Sequence, residues 1–168
     1  MPLTVNVDLS ETQTLVVRSA RDFVERHVRP VAAELDREER FPKDILKGLA
    51  DLGLMGVNIP AELGGAEAGV VSYSLAMMEV ARGCASTAVT MAVTNMVAEV
   101  IARFGTPAQR ERYVPRITSG EYVAGAFALS EPEAGSDPGS CARTRSAPRM
   151  VGSCAERSSG SRAARTRA

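Results

Sequence analysis

From Cys141 onward the chain changes character: its last 28 residues hold seven arginines, no lysine, one acidic residue (Glu156) and no aromatic residue. A segment built from Arg, Ser, Ala and Gly has too little apolar surface to offset the entropy of ordering, so it reads as a disordered basic tail. Any core must therefore come from the first 140 residues. Charge divides at the same place. Residues 1–140 carry 13 basic and 19 acidic groups, a net of −6, and the tail carries 7 and 1, a net of +6; the overall zero conceals two unlike pieces.

The first piece is patterned for helices. Ser10 followed by Gln13 makes a capping box, and Leu15, Val16, Phe23, Val24, Val28, Val31 and Leu35 recur at helical spacing. They predict one long amphipathic helix. Pro30 interrupts or kinks it, because the ring removes a backbone donor and crowds the preceding turn. A second helix begins near Pro42, packs through Ile45, Leu46, Leu49 and Leu52, and stops at Gly53. A loop over 58–69 contains Pro60 and the Gly64-Gly65 pair. The third helix covers about 70–82, with Leu75, Met78 and Val80 as expected core. The fourth, over 85–104, is apolar almost all round, which predicts burial on several sides. Thr106, Pro107 and Gln109 then open a capped helix running to about Ile117. Charge runs such as 36–40 read as solvated faces.

After the helices the periodicity shifts. Tyr122 to Ser130 (YVAGAFALS) reads as a buried strand that Glu131-Pro132 ends. In the turn that follows, Gly135 permits close approach of a ligand, and Gly135 and Ser136 can offer amide N–H groups and a hydroxyl to an anion. Taken alone, such a segment is more often an ordinary strand and turn.

Composition narrows the setting. With 45% hydrophobic residues, 24% charged and no Trp, the chain suits one domain with an aliphatic core. Cys84, Cys141 and Cys154 have neither CxxC spacing nor the pattern of a disulfide framework, which fits a reducing cytosol and predicts a cytoplasmic protein. Cys84 reads as a buried apolar residue. His27, the single histidine, has no ligand cluster near it and reads as structural or solvated, so no metal is expected. No apolar run reaches about 18 residues, and no basic segment followed by an apolar one opens the chain, so neither a membrane span nor export is expected.

The stretch FALSEPEAGSD, Phe127 to Asp137, following a helical half, resembles the flavin-contacting signature of the acyl-CoA dehydrogenase family, [AG]xxxTEPxAGSD with Ser allowed for Thr. Other segments agree in order and spacing. LADLGLMGVNIPAELGG (Leu49 to Gly65) resembles the family's link between its second and third helices, and RGCASTAVTMAV (Arg82 to Val93) the start of the long helix beside the acyl pocket. FGTPAQRERYVPRITSGEYVAG then leads into the signature in register. The resemblance covers about Leu9 to Ser140.

The resemblance implies a mainly α chain: a helical N-terminal domain over 1–119, then the first strand and flavin-contacting turn of a β-barrel middle domain over 120–140, then the tail over 141–168. It implies FAD as cofactor and an acyl-CoA thioester as substrate, oxidised between the α and β carbons, with electron-transfer flavoprotein as electron acceptor and a homo-oligomer for the intact enzyme. Phe127, Leu129 and Ser130 take positions whose backbone, and for Ser130 its hydroxyl, contact the flavin ring. Gly135 and Ser136 take pyrophosphate positions, and Ser136 also lies where the family touches acyl-CoA. Phe127 and Leu129 also suit plain strand core, and Glu131 and Asp137 suit shaping the turn. On the fourth helix, Met91 and Asn95 either face the acyl pocket or are core. The family's catalytic glutamate belongs to a helical C-terminal domain, so no residue here is assigned to catalysis and the chain by itself is expected to be inactive.

The tail fits one explanation in the genetic code. Reading the last base of each codon with the first two of the next, RMVGSCAERSSGSR at Arg149 to Arg162 permits DGGFVRGTKQWIT. That string resembles the family's next segment, DGxxVxNGxKxWIT, one residue shorter between its valine and the following glycine. The glycine codon across Met150-Val151 is forced, and most other positions are compatible. A frameshift near Ser140 would thus have replaced the β-domain. Two rival readings are a non-enzymatic helical partner module that docks on an intact dehydrogenase, and a basic-tailed protein binding nucleic acid or anionic lipid through phosphates. An Arg-Ser-Ala-Gly tail without aromatics argues against the last, and no nucleic-acid or membrane partner is expected.

Overall fold

The computed structural model describes residues 8–130 and 135–137. Among these residues lie six α-helices, one π-helical turn, one 3-10 turn and no strand. The chain divides into two compact units, Met1–Ala126 and Phe127–Ala168. The first holds every helix among the described residues. The helices are α1 (Glu11–Phe23), α2 (Ala32–Arg37), α3 (Lys43–Asp51), α4 (Gly69–Gly83), α5 (Ala85–Phe104) and α6 (Pro107–Thr118).

The expected cap of α1 is present: the Gln13 N–H donates to Ser10 Oγ at 3.2 Å and the Ser10 N–H donates to Gln13 Oε1 at 3.0 Å. The same reciprocal box opens α6, with the Gln109 N–H on Thr106 Oγ1 at 3.3 Å and the Thr106 N–H on Gln109 Oε1 at 2.9 Å. The long first helix is interrupted where Pro30 predicts. After Phe23 the backbone widens into a π-turn over Val24–Val28, closed by the Arg29 N–H on the Val24 carbonyl at 2.9 Å. Pro30 is the physical reason, since a proline in an α-turn clashes with the carbonyl four residues earlier and donates nothing. The chain then resumes as α2.

The helices α1, α4, α5 and α6 pack in sequence, each against the next, and α3 touches α5. The larger core cluster joins Ala20, Val24 and Val28 to Leu46, Leu49, Met55, Val80 and Met91; a smaller one gathers Ile59, Ala98, Val114 and Ile117. Two expected core residues lie outside. Leu52 is 42% exposed because α3 stops at Asp51 and Gly53 turns the chain with φ of 74°. Met78 is 63% exposed, since α4 buries instead the face carrying Ser72, Ala76, Glu79 and Val80. Glu79 fastens that face to α1: Arg21 grips it with two bonds, at 2.8 and 3.1 Å, and Arg82 adds a third at 3.1 Å.

The α5 helix is long and apolar enough to cross a membrane by length and composition. Its buried face, however, carries Thr87, Thr94 and Asn95 and packs on α3, α4 and α6, as the central helix of a bundle does.

Candidate functional site

The α5 helix has two unlike faces. One is buried and holds Thr87, Ala88, Met91, Thr94, Asn95 and Ala98. The other stays open: Val89 is 62% exposed, Met96 39%, Val100 40% and Phe104 75%, with Val93 partly exposed between them. At 3.6 residues per turn these five share one stripe. The expectation of burial on several sides is therefore met on only one. The apolar spacing 89, 93, 96, 100 and 104 is visible in the sequence, but on a helix that is apolar almost all round it does not announce which face lacks a neighbour.

Met91 and Asn95 belong to the core. Met91 is fully buried. Asn95 is a clamp: its Nδ2 donates to the carbonyls of Leu54 (2.9 Å) and Met91 (3.0 Å), and its Oδ1 accepts from the Val57 N–H at 3.3 Å. These bonds pin the loop that follows α3 onto α5. One turn further on, Asn58 Nδ2 donates to Glu99 Oε1 at 2.8 Å and fixes the loop's far end. Burial pushes the Tyr73 hydroxyl above its ordinary range, with the Glu99 charge adding to the effect.

The segment entering the signature is held by α5 too. The Gly125 N–H donates to Thr94 Oγ1 at 3.1 Å, while the Thr94 hydroxyl donates to the Thr90 carbonyl at 2.7 Å. A Cβ at position 125 would stand 2.9 Å from Val97 Cβ and 3.3 Å from Thr94 Cα, so only glycine lets the backbone come this close. Val123 packs against the larger core cluster. Sequence reasoning missed this anchor; a glycine inside a strand-like run was its signal.

Beyond Ala126 the second unit begins. Residues 123–130 form no strand, which departs from the expected buried strand over 122–130. The reason is that a strand exists only as part of a ladder, and no ladder partner stands among the described residues. Phe127 is 50% exposed and Leu129 43%, so neither is core here; Ser130, Gly135 and Ser136 are exposed. A Cβ at Gly135 would meet nothing within 4 Å among the described residues. Glu131, Pro132, Glu133 and Ala134 lie outside the described residues, as do residues 138–168.

A separate cavity of about 530 Å³ opens between the π-turn, α2 and α3, lined by Phe23, His27, Val31, Leu35, Phe41 and Ile45 among others. His27 is exposed there, its ring 4.9 Å from that of Phe23.

The pattern of the acyl-CoA dehydrogenase N-terminal domain matches residues 10–121, more than half of the chain. This chain belongs to the acyl-CoA dehydrogenase family. The bovine mitochondrial short-chain specific acyl-CoA dehydrogenase is 46% identical over 140 residues, which is 83% of this chain and 34% of that protein. Among solved structures, butyryl-CoA dehydrogenase from Megasphaera elsdenii superposes with a TM-score of 0.72 at 33% identity, covering 80% of this chain and 36% of that one. A chain in the structure of the electron transferring flavoprotein of Acidaminococcus fermentans gives 0.75 at 30% identity, covering 81% and 36%. A glutaryl-CoA dehydrogenase from Mycobacterium smegmatis, in complex with FADH2, gives 0.74 at 27% identity, covering 79% and 34%. The chain thus spans about a third of the length of the family members it matches.

Proposed function

We propose that this chain supplies the helical wall and the first flavin-contacting ledge of an FAD-dependent acyl-CoA dehydrogenase. The reading rests on one observation above all: α5 presents an exposed apolar stripe, Val89 to Phe104, and by its Thr94 hydroxyl tethers the segment that leads into FALSEPEAGSD. An acyl chain needs an apolar wall, and the stripe offers one without polar interruption at 89, 93, 96 and 100. On this reading the main chain at Phe127, Leu129 and Ser130 and the Ser130 hydroxyl hold the edge of the flavin ring. Gly135 and Ser136 take its pyrophosphate through amide N–H groups, and the Ser136 hydroxyl reaches the acyl-CoA. FAD, when bound, supplies the acceptor for the hydride that leaves the β-carbon. The residues of this chain orient and shield; none is assigned the proton removed from the α-carbon. The chain alone is accordingly read as inactive. Similarity to the bovine short-chain enzyme and to butyryl-CoA dehydrogenase favours a short acyl group, and the Acidaminococcus match supports electron transfer to a flavoprotein partner. The cysteine pattern keeps the cytoplasm as the proposed location.

A chimera tests this. Residues 1–140 of this chain replace the matching segment of the bovine short-chain enzyme, and the product is assayed for bound flavin by absorbance at about 450 nm and for flavin bleaching by butyryl-CoA. A flavin-loaded chimera that bleaches supports the proposal. A folded, flavin-loaded chimera that no short acyl-CoA bleaches overturns it, and stoichiometric flavin with turnover in the unfused chain overturns the reading of inactivity.

A further inference from the structure

The cavity of about 530 Å³ is lined by residues that all lie between 23 and 48, on the end of α1, the π-turn, α2, α3 and their links. Its size is that of sites that hold small organic molecules, about 300–1,000 Å³. The floor is apolar: Ile45 is buried, and Phe23, Val31 and Leu35 are half-buried. Phe23 sits low because residue 48 is glycine. A Cβ there would stand 2.5 Å from Phe23 Cζ, so a side chain at 48 would displace the ring toward the cavity. Glycine inside a helix is destabilising, and in α3 the space it leaves is taken by that ring. The rim is polar. Glu39 ends α2 in the left-handed region at φ 51°, with the Arg40 N–H on the Leu35 carbonyl at 3.0 Å, and brings Arg40 and Phe41 to the rim. Arg40 is held by Glu34 at 2.7 Å and Glu38 at 3.3 Å. Asp44 lies in the first turn of α3, where the positive end of the helix answers its charge. The Lys43 ammonium, by contrast, has no ion-pair partner among the described residues.

We propose that this cavity binds a straight-chain monocarboxylate of medium length, its tail on Phe23, Val31, Leu35 and Ile45 and its head on the Lys43 ammonium. Each half of the lining selects one half of that ligand. The floor takes hydrocarbon, which gains by leaving water. A lysine ammonium is a compact point charge that a single carboxylate matches, whereas a phosphate group is better held by an arginine fork. The fork of Arg40 is already engaged by Glu34 and Glu38, which leaves Lys43 to choose the head group. A ligand with an ammonium head would meet Lys43 as a like charge. The site stands apart from the acyl wall proposed on α5, since its lining runs from Phe23 to Gly48 and the stripe from Val89 to Phe104.

His27 lines the cavity and is the single histidine of the chain, so the NMR signal of its ring protons reports on this site without ambiguity. The experiment titrates the full chain with sodium decanoate. A saturable shift of the His27 signal is expected, with hexanoate binding at least about tenfold more weakly because fewer methylenes leave water. Decylamine, of like tail and opposite charge, is expected to bind about tenfold more weakly, and Lys43→Gln, which alters an exposed side chain, to weaken decanoate about threefold. Gly48→Ala, which displaces the Phe23 ring, is expected to weaken it further; if that variant fails to fold, Lys43→Gln decides alone. A His27 signal that decanoate leaves in place, a decylamine affinity equal to that of decanoate, or a decanoate affinity that Lys43→Gln does not change overturns the proposal.

Discussion

Glu79 shows how one residue can hold two helices together. Its carboxylate is nearly buried on α4, and Arg21 reaches across from α1 to bond both of its oxygens. Those hydrogen bonds hold the Glu79 carboxyl below its ordinary pKa; burial opposes the shift, and the charges of Arg21 and Arg82 reinforce it. A carboxylate with a depressed folded-state pKa stabilises the fold fully above the unfolded value, about 4.5, and that contribution is lost as pH falls through the folded value. Urea unfolding midpoints should therefore show wild type clearly above Glu79→Gln at pH 7, with the gap closing as pH falls below about 4. A gap independent of pH would mean the pair is held by packing alone. Nothing in the sequence marks this pair: 58 residues separate its members, and a glutamate on an amphipathic helix reads as solvated.

At the scale of the element, α5 separates what was legible from what was not. Its boundaries, the capping boxes at Ser10 and Thr106 and the break at Pro30 follow from local chemistry, because caps, prolines and glycines act within a turn of themselves. The face that α5 buries depends on neighbours that local pattern cannot supply: a Met-rich apolar helix reads as core, which Met91 and Asn95 are, but the pattern does not single out Val89 and Met96 as the open side. The two faces should respond differently to substitution. Met91→Ala, which empties fully buried space, is expected to cost about 2–5 kcal/mol of unfolding free energy. Met96→Lys, on the open stripe, is expected to stay within about 0.5 kcal/mol in this chain while abolishing butyryl-CoA bleaching in the chimera. Calorimetry on both variants beside the chimera assay checks the pair. A large stability loss from Met96→Lys would mean that the stripe is packed.

For the whole molecule, helical class and family were readable because several motifs stand in one order along some 130 residues, whereas the signature's role was readable only as resemblance. Main-chain contacts to a ring leave little trace in side-chain type, and the geometry of Glu131 to Ala134 and of the tail lies outside the described residues. The tail carries its own test. If it is an out-of-frame reading of the next family segment, the coding DNA over Arg149 to Arg162 should spell DGGFVRGTKQWIT in the shifted frame. Sequencing the locus decides this, and any other string there sinks the explanation.

The π-turn at Val24–Val28 has a consequence for how this fold tolerates changes in chain length. Each residue added to a helix rotates everything after it by about 100°, so the turn works as a phase shifter inserted between α1 and α2. With it, Val31 and Leu35 reach the same core cluster as Val24 and Val28. Deleting one residue between 24 and 28 would leave composition almost untouched and yet swing those two side chains away from their neighbours. Pro30 maintains the phase, and the helix is tuned by residue count as much as by residue kind.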